Sequence, residues 1–374
     1  MPLRTNQMTF TPKFQITATI SKSLMTIEAN REVVNSLPIT PKILASLRES
    51  TKLITTHYST MIEGNKLNEK EITKVVKNKS VGKIKPKQRD EKEVLGYYAA
   101  LEHVHQIADK NPLLNEKIIQ TIHAIVMSSG NQKAKPTKYR DGQNVIRDSV
   151  SGTIVYMPPE AKDVPVFLLQ MTAWINKELA KKDLPPPIIA AIAHYQFATI
   201  HPYYDGNGRT ARLLTTFILH LSGYGLKGIY CLEEYYAKDL GSYYQALSIG
   251  NHHNYYMGRA ESDITSFIEY FCTGMAKAFE SVRKNIVSSL QNKGDESDKS
   301  DLLYHLDERQ KRALDLFLKQ KIITTKDVAL LFGLGIRAAN NICSKWLEVG
   351  FVVASSEAKK NRGYFLGKKW RGLV

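Results

Sequence analysis

The sequence predicts a mainly α-helical protein: a helical core with one β-hairpin, followed by a C-terminal winged helix-turn-helix domain. Three observations carry this expectation. From about residue 40 to 290, apolar residues recur at three- and four-residue spacing rather than in alternation. One stretch, 139–160, breaks that rhythm with a turn and a short β-branched run. A polar, charged segment, QNKGDESDKSD at 291–301, then separates the core from a terminal segment with its own helix and strand pattern.

In chain order, residues 40–60 form an amphipathic helix that starts near Thr40-Pro41 and carries Ile43, Leu44, Leu47 and Ile54 at helical spacing. The Lys-rich segment KNKSVGKIKPKQRD (77–90), broken by Gly82 and Pro86, reads as a loop. Residues 91–108 and 115–129 are helical. Within 139–160, Ser151-Gly152 make a turn, and the strand that follows is stopped by Pro158-Pro159. Helices resume over 163–180 and, after Pro185-Pro186-Pro187, over 188–200. RLLTTFILHLSGYG continues as an apolar helix ended by Gly223, and further helices occupy 240–250 and 261–290. Beyond 302 come three helices, ERQKRALDLFLKQ, TTKDVALLFGLG and IRAANNICSKWLEVG, then two strands joined by a basic turn. The expected domains are therefore an N-terminal helical region (1–110), a helical core (111–290), a linker (291–301) and a winged helix (302–374). No internal repeat is present.

Composition narrows the function classes. The chain has 374 residues, 43% hydrophobic and 24% charged, as in a soluble globular protein. MPLRTNQMTF lacks the apolar core of a signal peptide. No apolar run reaches the roughly 20 residues that span a bilayer. Cys231, Cys272 and Cys343 are odd in number and far apart, so neither a disulfide framework nor a zinc site follows. The expectation is a cytoplasmic protein without a membrane partner. A net charge of +16 favours polyanionic partners.

The chemistry concentrates in HPYYDGNGRTAR, residues 201–212. One helix delivers His201 at its end, and Pro202 helps to stop it. Asp205-Gly206-Asn207-Gly208 make a tight turn, and a second helix begins near Gly208. Two glycines let the backbone approach a ligand closely. The free N–H groups of the new helix and its dipole favour negative charge in the turn. Arg209 and Arg212, three apart, share a helix face and can grip phosphate oxygens. Asp205 is a hard oxygen ligand suited to Mg²⁺ on a di- or triphosphate. His201 can act as a general base for a hydroxyl. The set is a phosphate-transfer site. Neither a Walker loop nor a kinase Gly-rich loop is present.

These residues resemble the Fic-family signature HxFx(D/E)GN(G/K)RxxR, with Tyr203 in place of the usual Phe as the single departure. The resemblance extends over roughly 40–285 and implies a Fic-type helical core that transfers AMP from ATP to a Ser, Thr or Tyr hydroxyl of a target protein or of the chain itself. His201 would take the hydroxyl proton. Asp205 would hold Mg²⁺ between the α- and β-phosphates. Gly206, Asn207 and Gly208 would cradle the phosphates, with Arg209 and Arg212 on the β and γ groups. Catalysis would then rest on positioning and charge stabilisation. GTIVYMPP resembles the family's flap, a hairpin whose edge (Thr153, Ile154, Val155, Tyr156) aligns a target peptide by strand addition. SYYQALSIGN resembles the segment that closes over adenosine, with Tyr243, Tyr244 and Asn251 as candidate contacts.

STMIEGNKL (59–67) resembles the inhibitory motif (S/T)xxxE(G/N) of many Fic proteins, on a helix of about 40–64. Ser59 and Glu63 share one helix face, and the resemblance implies that Glu63 pairs with Arg212 and turns ATP away from its productive pose. The same glutamate can alternatively position water for removal of AMP. In the winged-helix segment, Arg337, Asn341 and Lys345 lie on the recognition helix and are candidate DNA contacts. The rival reading is a DNA-binding transcriptional regulator whose Fic-like core senses nucleotide without catalysis. A second copy of the chain is a further candidate partner.

Overall fold

The structure, a computed structural model, describes residues 10–80, 88–147, 151–250, 253–291, 302–303, 305–355 and 362–374. The chain divides into two compact units: residues 1–35 with 50–285, and residues 36–49 with 286–374. The expected division differs in two respects. No boundary falls at 110, and residues 36–49 group with the C-terminal segment, where Arg48 favours the ionised form of Asp315 against the burial that raises its pKa. The expected linker lies largely outside the described residues.

The helices of the N-terminal half are α1 (Ala18–Ser36), α2 (Pro41–Ile62), α3 (Glu69–Ser80), α4 (Arg89–Ala108) and α5 (Glu116–Met127). Strands β1 (Ile146–Arg147) and β2 (Ile154–Tyr156) follow, then α6 (Val164–Lys181), α7 (Pro186–Ile200), α8 (Asn207–Leu221), α9 (Glu233–Lys238), α10 (Leu240–Leu247) and α11 (Thr265–Gln291). The centre of the first unit is α7. Its sequence PPIIAAIAHYQFATI is apolar on all sides, which suits only a helix surrounded by others. Ile188, Ile189, Ile192, Phe197 and Ile200 are fully buried, each contributing about 1.5–3 kcal/mol by leaving water. The α8 helix packs along it through Leu213, Leu214, Phe217 and Ile218, also fully buried. The α4 and α5 helices pack on α8, so the 201–206 turn between α7 and α8 is carried by the most closely packed helices of the unit.

Three helices escaped the sequence reading: α1, α3 and the short α9. In α1, Ile20, Ile27 and Val34 recur every seven residues, but the intervening buried positions are Ser23 and Asn30, which hide the apolar stripe. The α3 helix runs to Ser80, four residues into the expected Lys-rich loop. It starts from a capping box in which Asn68 Oδ1 accepts from the Lys70 and Glu71 N–H groups and Glu71 Oε2 accepts from the Asn68 N–H. The strand β1, which pairs antiparallel with β2, is a further element that was not located. The α10 helix stops at Leu247, earlier than expected, and α11 starts at Thr265 rather than 261.

In the second unit, α12 (Glu308–Lys319), α13 (Thr325–Phe332) and α14 (Ile336–Glu348) are followed by β4 (Val352–Ala354) and β5 (Gly363–Leu366). A short strand β3 (Ile323–Thr324), absent from the sequence reading, completes an antiparallel sheet of order β3-β5-β4. Asp307 and Thr324 close capping boxes at the starts of α12 and α13, and Gly333 ends α13 with φ 64°. Ala339, Ile342, Cys343 and Trp346 turn the inner face of α14 onto a core that includes Leu314, Val328, Phe351 and Trp370.

Candidate active site

The site is built where α7 ends and α8 begins. His201 caps α7 in the left-handed region (φ 51°, ψ 61°), with its N–H bonded to Phe197 O at 3.0 Å. That conformation, unusual for a residue with a Cβ, turns the chain away from the helix. Pro202 and Tyr203 then lead into the loop. Its shape is fixed by Asn207, whose Oδ1 accepts from the Tyr203 N–H at 2.9 Å and whose Nδ2 donates to Tyr203 O at 2.7 Å. The buried Asn207 side chain therefore braces the loop. Gly206, at φ 77°, is the N-cap of α8 and offers no side chain to the first-turn N–H groups. A Cβ at Gly206 would meet Met127 Sδ at 2.8 Å and His123 Nε2 at 3.2 Å, so glycine is needed for space as well as for conformation.

His201 is held neutral. Burial pushes its pKa down to about 4, and its Nδ1 lies 3.3 Å from Ala198 O. Donation to that carbonyl leaves Nε2 as the unprotonated, basic nitrogen. His123 is likewise pushed down to about 4 by burial, with Nε2 2.9 Å from Asp205 O and its ring stacked on Tyr203 at 3.5 Å. Tyr203 is 2% exposed, as a core anchor should be, yet its hydroxyl has no hydrogen-bond partner among the described residues. A phenylalanine would fit there equally well.

The two arginines are among the most buried side chains of the chain, each 2% exposed. Arg209 Nη2 donates to Asp205 Oδ1 at 3.1 Å, and Nη1 lies 3.9 Å from Glu93 Oε1. Asp205 itself remains largely exposed, with Oδ1 also accepting from the Gly206 N–H at 2.6 Å. Arg212 donates from Nε to Ser59 Oγ at 2.8 Å, and from Nη2 to Ser59 O at 2.8 Å and Glu63 Oε1 at 3.0 Å. Burial is the largest effect and opposes the charge on Arg212, but Glu63, Tyr243 and Tyr97 together outweigh it and raise the pKa above the ordinary arginine value. Arg209 Nε and Arg212 Nη1 are buried without a hydrogen-bond partner among the described residues. Such guanidinium nitrogens are costly unless something else satisfies them.

Glu63 lies just past the end of α2, where Gly64 (φ 89°) reverses the chain. Its carboxylate hangs over α8: a Cβ at Gly208 would collide with Glu63 Oε1. Asn65 fastens the following segment to α4 by donating from Nδ2 to Asp90 O (3.0 Å) and Glu93 Oε2 (3.2 Å). A cavity of about 280 Å³ opens beside Asp205 and Arg209, lined further by Arg89, Lys92 and Glu93.

Not every expected residue joins this cluster. Tyr243 is buried in the core, its hydroxyl 2.9 Å from His194 Nε2 and its ring stacked on Tyr236 at 4.6 Å, so it is not free to meet a base. The exposed neighbour Tyr244 remains, with its hydroxyl donating to Ile62 O at 3.4 Å. Asn251 lies outside the described residues. In the hairpin, Thr153, Ile154 and Val155 are exposed. Tyr156 is inward, its hydroxyl bonded to Thr199 O at 2.9 Å, which corrects its expected place on the docking edge. The Val155 carbonyl already faces His253 Nδ1 at 2.9 Å. In the second unit, Arg337, Asn341 and Lys345 are exposed along one face of α14, opposite its buried residues. His123 and Glu93 were missed. Each acts through a long-range contact and carries no local sequence signal.

The comparisons agree with this geometry. Residues 113–219 match the model described as Fic/DOC family. The curated protein adenylyltransferase Fic of Aedes aegypti is 25% identical over 256 residues, spanning 66% of this chain and 45% of the relative. The protein of the same name from Culex quinquefasciatus is 27% identical over 226 residues, spanning 58% and 39%. The chain thus spans less than half the length of these relatives. Among solved structures, a Fic family protein from Desulfovibrio desulfuricans G20 superposes with a TM-score of 0.56 at 21% identity, covering 96% of this chain and 99% of the other. A Fic domain containing signaling protein from Bacteroides thetaiotaomicron gives a TM-score of 0.59 at 22% identity, covering 71% and 97%. The helical fold is the Fic fold, and the segment 113–219, which carries the 201–212 turn, is what matches the Fic/DOC family.

Proposed function

We propose that the chain is an autoinhibited protein adenylyltransferase that moves AMP from ATP to a Ser, Thr or Tyr hydroxyl of a target protein or of itself. The observation that carries the reading is the pair of buried arginines at the N-terminus of α8, each with an unpartnered nitrogen, beside a neutral histidine and an exposed carboxylate. Unsatisfied buried guanidinium nitrogens at a helix N-terminus suit the oxygens of a polyphosphate. The names of the curated relatives support the same activity.

In this reading His201 Nε2 takes the proton of the target hydroxyl, whose oxygen attacks the α-phosphorus, and pyrophosphate leaves. Arg209 and Arg212 neutralise the phosphates, and the α8 N–H groups approach them where Gly206 and Gly208 leave room. Asp205 fits a Mg²⁺ ion: a single exposed carboxylate suits a metal that completes its shell with water and phosphate oxygens. The ion would supply neutralisation of phosphate charge. Glu63 occupies Arg212 in place of a phosphate and is the brake. Thr153, Ile154 and Val155 would offer the target-docking edge, and Tyr244 the adenosine contact.

The second unit reads as a winged helix with α14 as recognition helix, and its exposed Arg337, Asn341 and Lys345 as phosphate or base contacts on duplex DNA. No described helix is long and apolar enough to cross a membrane. The test uses the Glu63→Gly protein with Mg²⁺ and ATP labelled at the α- or the γ-phosphate. AMP transfer puts only the α-label on protein. Transfer of the γ-label instead would make the enzyme a kinase and sink the reading.

A further inference from the structure

We propose that Arg140 is a positioning residue that sets the base His201 and ties it to the flap. The proposal rests on the reading of His201 as the base. Arg140 stands in the segment between α5 and β1 and is 4% exposed. No carboxylate forms an ion pair with it among the described residues. Its guanidinium is instead spent entirely on backbone carbonyls. Nε donates to His201 O at 3.0 Å, Nη1 to Gly142 O at 3.0 Å, and Nη2 to Pro159 O. Its own N–H donates to Pro202 O at 3.0 Å. The side chain thus joins the catalytic base, Gly142 and the chain three residues beyond β2, while the backbone N–H of the same residue holds Pro202.

The physical need is clear at each point. The carbonyl of a helix-terminal residue has lost its helical donor, and His201 sits in a left-handed conformation that costs any residue with a Cβ. Its N–H to Phe197 O bond holds one side of that residue, and Arg140 Nε holds the other. Rotation of the 201 peptide would swing the imidazole out of line with any hydroxyl bound beside α8. The flap end is under the same grip, since Gln143 Nε2 donates to Pro158 O (2.9 Å) next to the Pro159 carbonyl that Arg140 holds. Base and flap are fixed relative to each other by a planar fork whose donors diverge in set directions. A lysine ammonium carries the same charge but cannot reach three carbonyls in that plane.

Arg140 contacts neither the arginines nor Asp205, so its loss should spare ATP binding and strike the step that needs an aligned base. In the Glu63→Gly background, Arg140→Lys should lower kcat by about 30- to 100-fold, with the KM and Kd for ATP within about twofold. For Arg140→Ala, guanidinium ion in the millimolar range should restore part of kcat. Independently of turnover, amide hydrogen exchange at His201 should accelerate by roughly tenfold in Arg140→Lys while α8 core amides are unchanged. A folded Arg140→Lys with normal kcat, or one whose ATP affinity falls as much as kcat, would overturn the proposal. Failure of both variants to fold at assay temperature would do the same by making the residue structural. If Glu63→Gly itself transfers no AMP, the reaction reading fails. Exchange at His201 in Arg140→Lys then decides the positioning role alone.

Discussion

Replacing Glu63 with glycine should make the protein both less stable and better at binding ATP, and the structure sets the size of both effects. Arg212 makes three bonds at 2.8, 2.8 and 3.0 Å, two to Ser59 and one to Glu63. The substitution removes the charge-assisted bond, worth about 1.5–3 kcal/mol, toward the lower end because a quarter of the Glu63 side chain is exposed. Added chain freedom of a glycine costs about 0.5–1 kcal/mol more. A loss of roughly 2–3 kcal/mol corresponds to a fall in Tm of roughly 4–10 °C. The same pair must be broken before a phosphate can use Arg212, so its removal should tighten Mg²⁺-ATP binding roughly 30- to 100-fold. Glu63→Gln keeps the shape and one acceptor without the charge and should gain only part of that affinity. Calorimetric titration of the three proteins with Mg²⁺-ATP, beside their melting curves, measures both. A lower Tm with unchanged ATP affinity would refute competition for Arg212 as the basis of the brake.

Three further outcomes follow from the same structure. Gly206→Ala meets Met127 Sδ and His123 and strains a positive φ, so it should cost about 1–3 kcal/mol and lower Tm by several degrees. Acid should destabilise the first unit through its buried histidines. His194 is pushed down to about 3 by burial and by Arg212, and His123 and His201 to about 4, against an ordinary 6.5. Folded values below unfolded ones mean that the unfolded chain takes up protons first. Their stabilisation is complete above pH 6.5 and is lost as pH falls toward 4, at about 1.4 kcal/mol per pH unit per group. A stability flat between pH 6.5 and 5 in denaturant titrations contradicts this. Finally, Arg337→Ala/Lys345→Ala should weaken duplex DNA binding and lower the slope of log K against log salt by about 2. Equal, salt-independent binding by both proteins removes the DNA assignment for α14.

The helical fold and the 201–212 segment were legible because both are written locally. A continuous apolar run after three prolines marks α7, apolar spacing marks α8, and glycine and proline mark the turn between them. The pairing of Ser59 and Glu63 with Arg212 spans 153 and 149 residues, yet the short STMIEGNKL motif pointed to it. What stayed hidden has no local signature. The apolar stripe of α1 is interrupted by Ser23 and Asn30, β1 has only two residues, and Arg140 and Glu93 look like ordinary surface charges until the fold buries them. Tyr243 misled in the opposite direction. An aromatic near the adenosine segment looks like a ligand contact, but His194 and Tyr236 already claim both its hydroxyl and its ring.

The most direct test incubates wild-type, Glu63→Gly and Glu63→Gly/His201→Ala proteins with Mg²⁺ and α-labelled ATP, alone and with added lysate, and follows label on protein. Label that is weak on the wild type, strong with Glu63→Gly and lost in the double variant is the predicted result, tying transfer, brake and base to these residues. No label with any variant, despite measurable ATP binding, would contradict the account and leave a nucleotide-sensing regulator in its place.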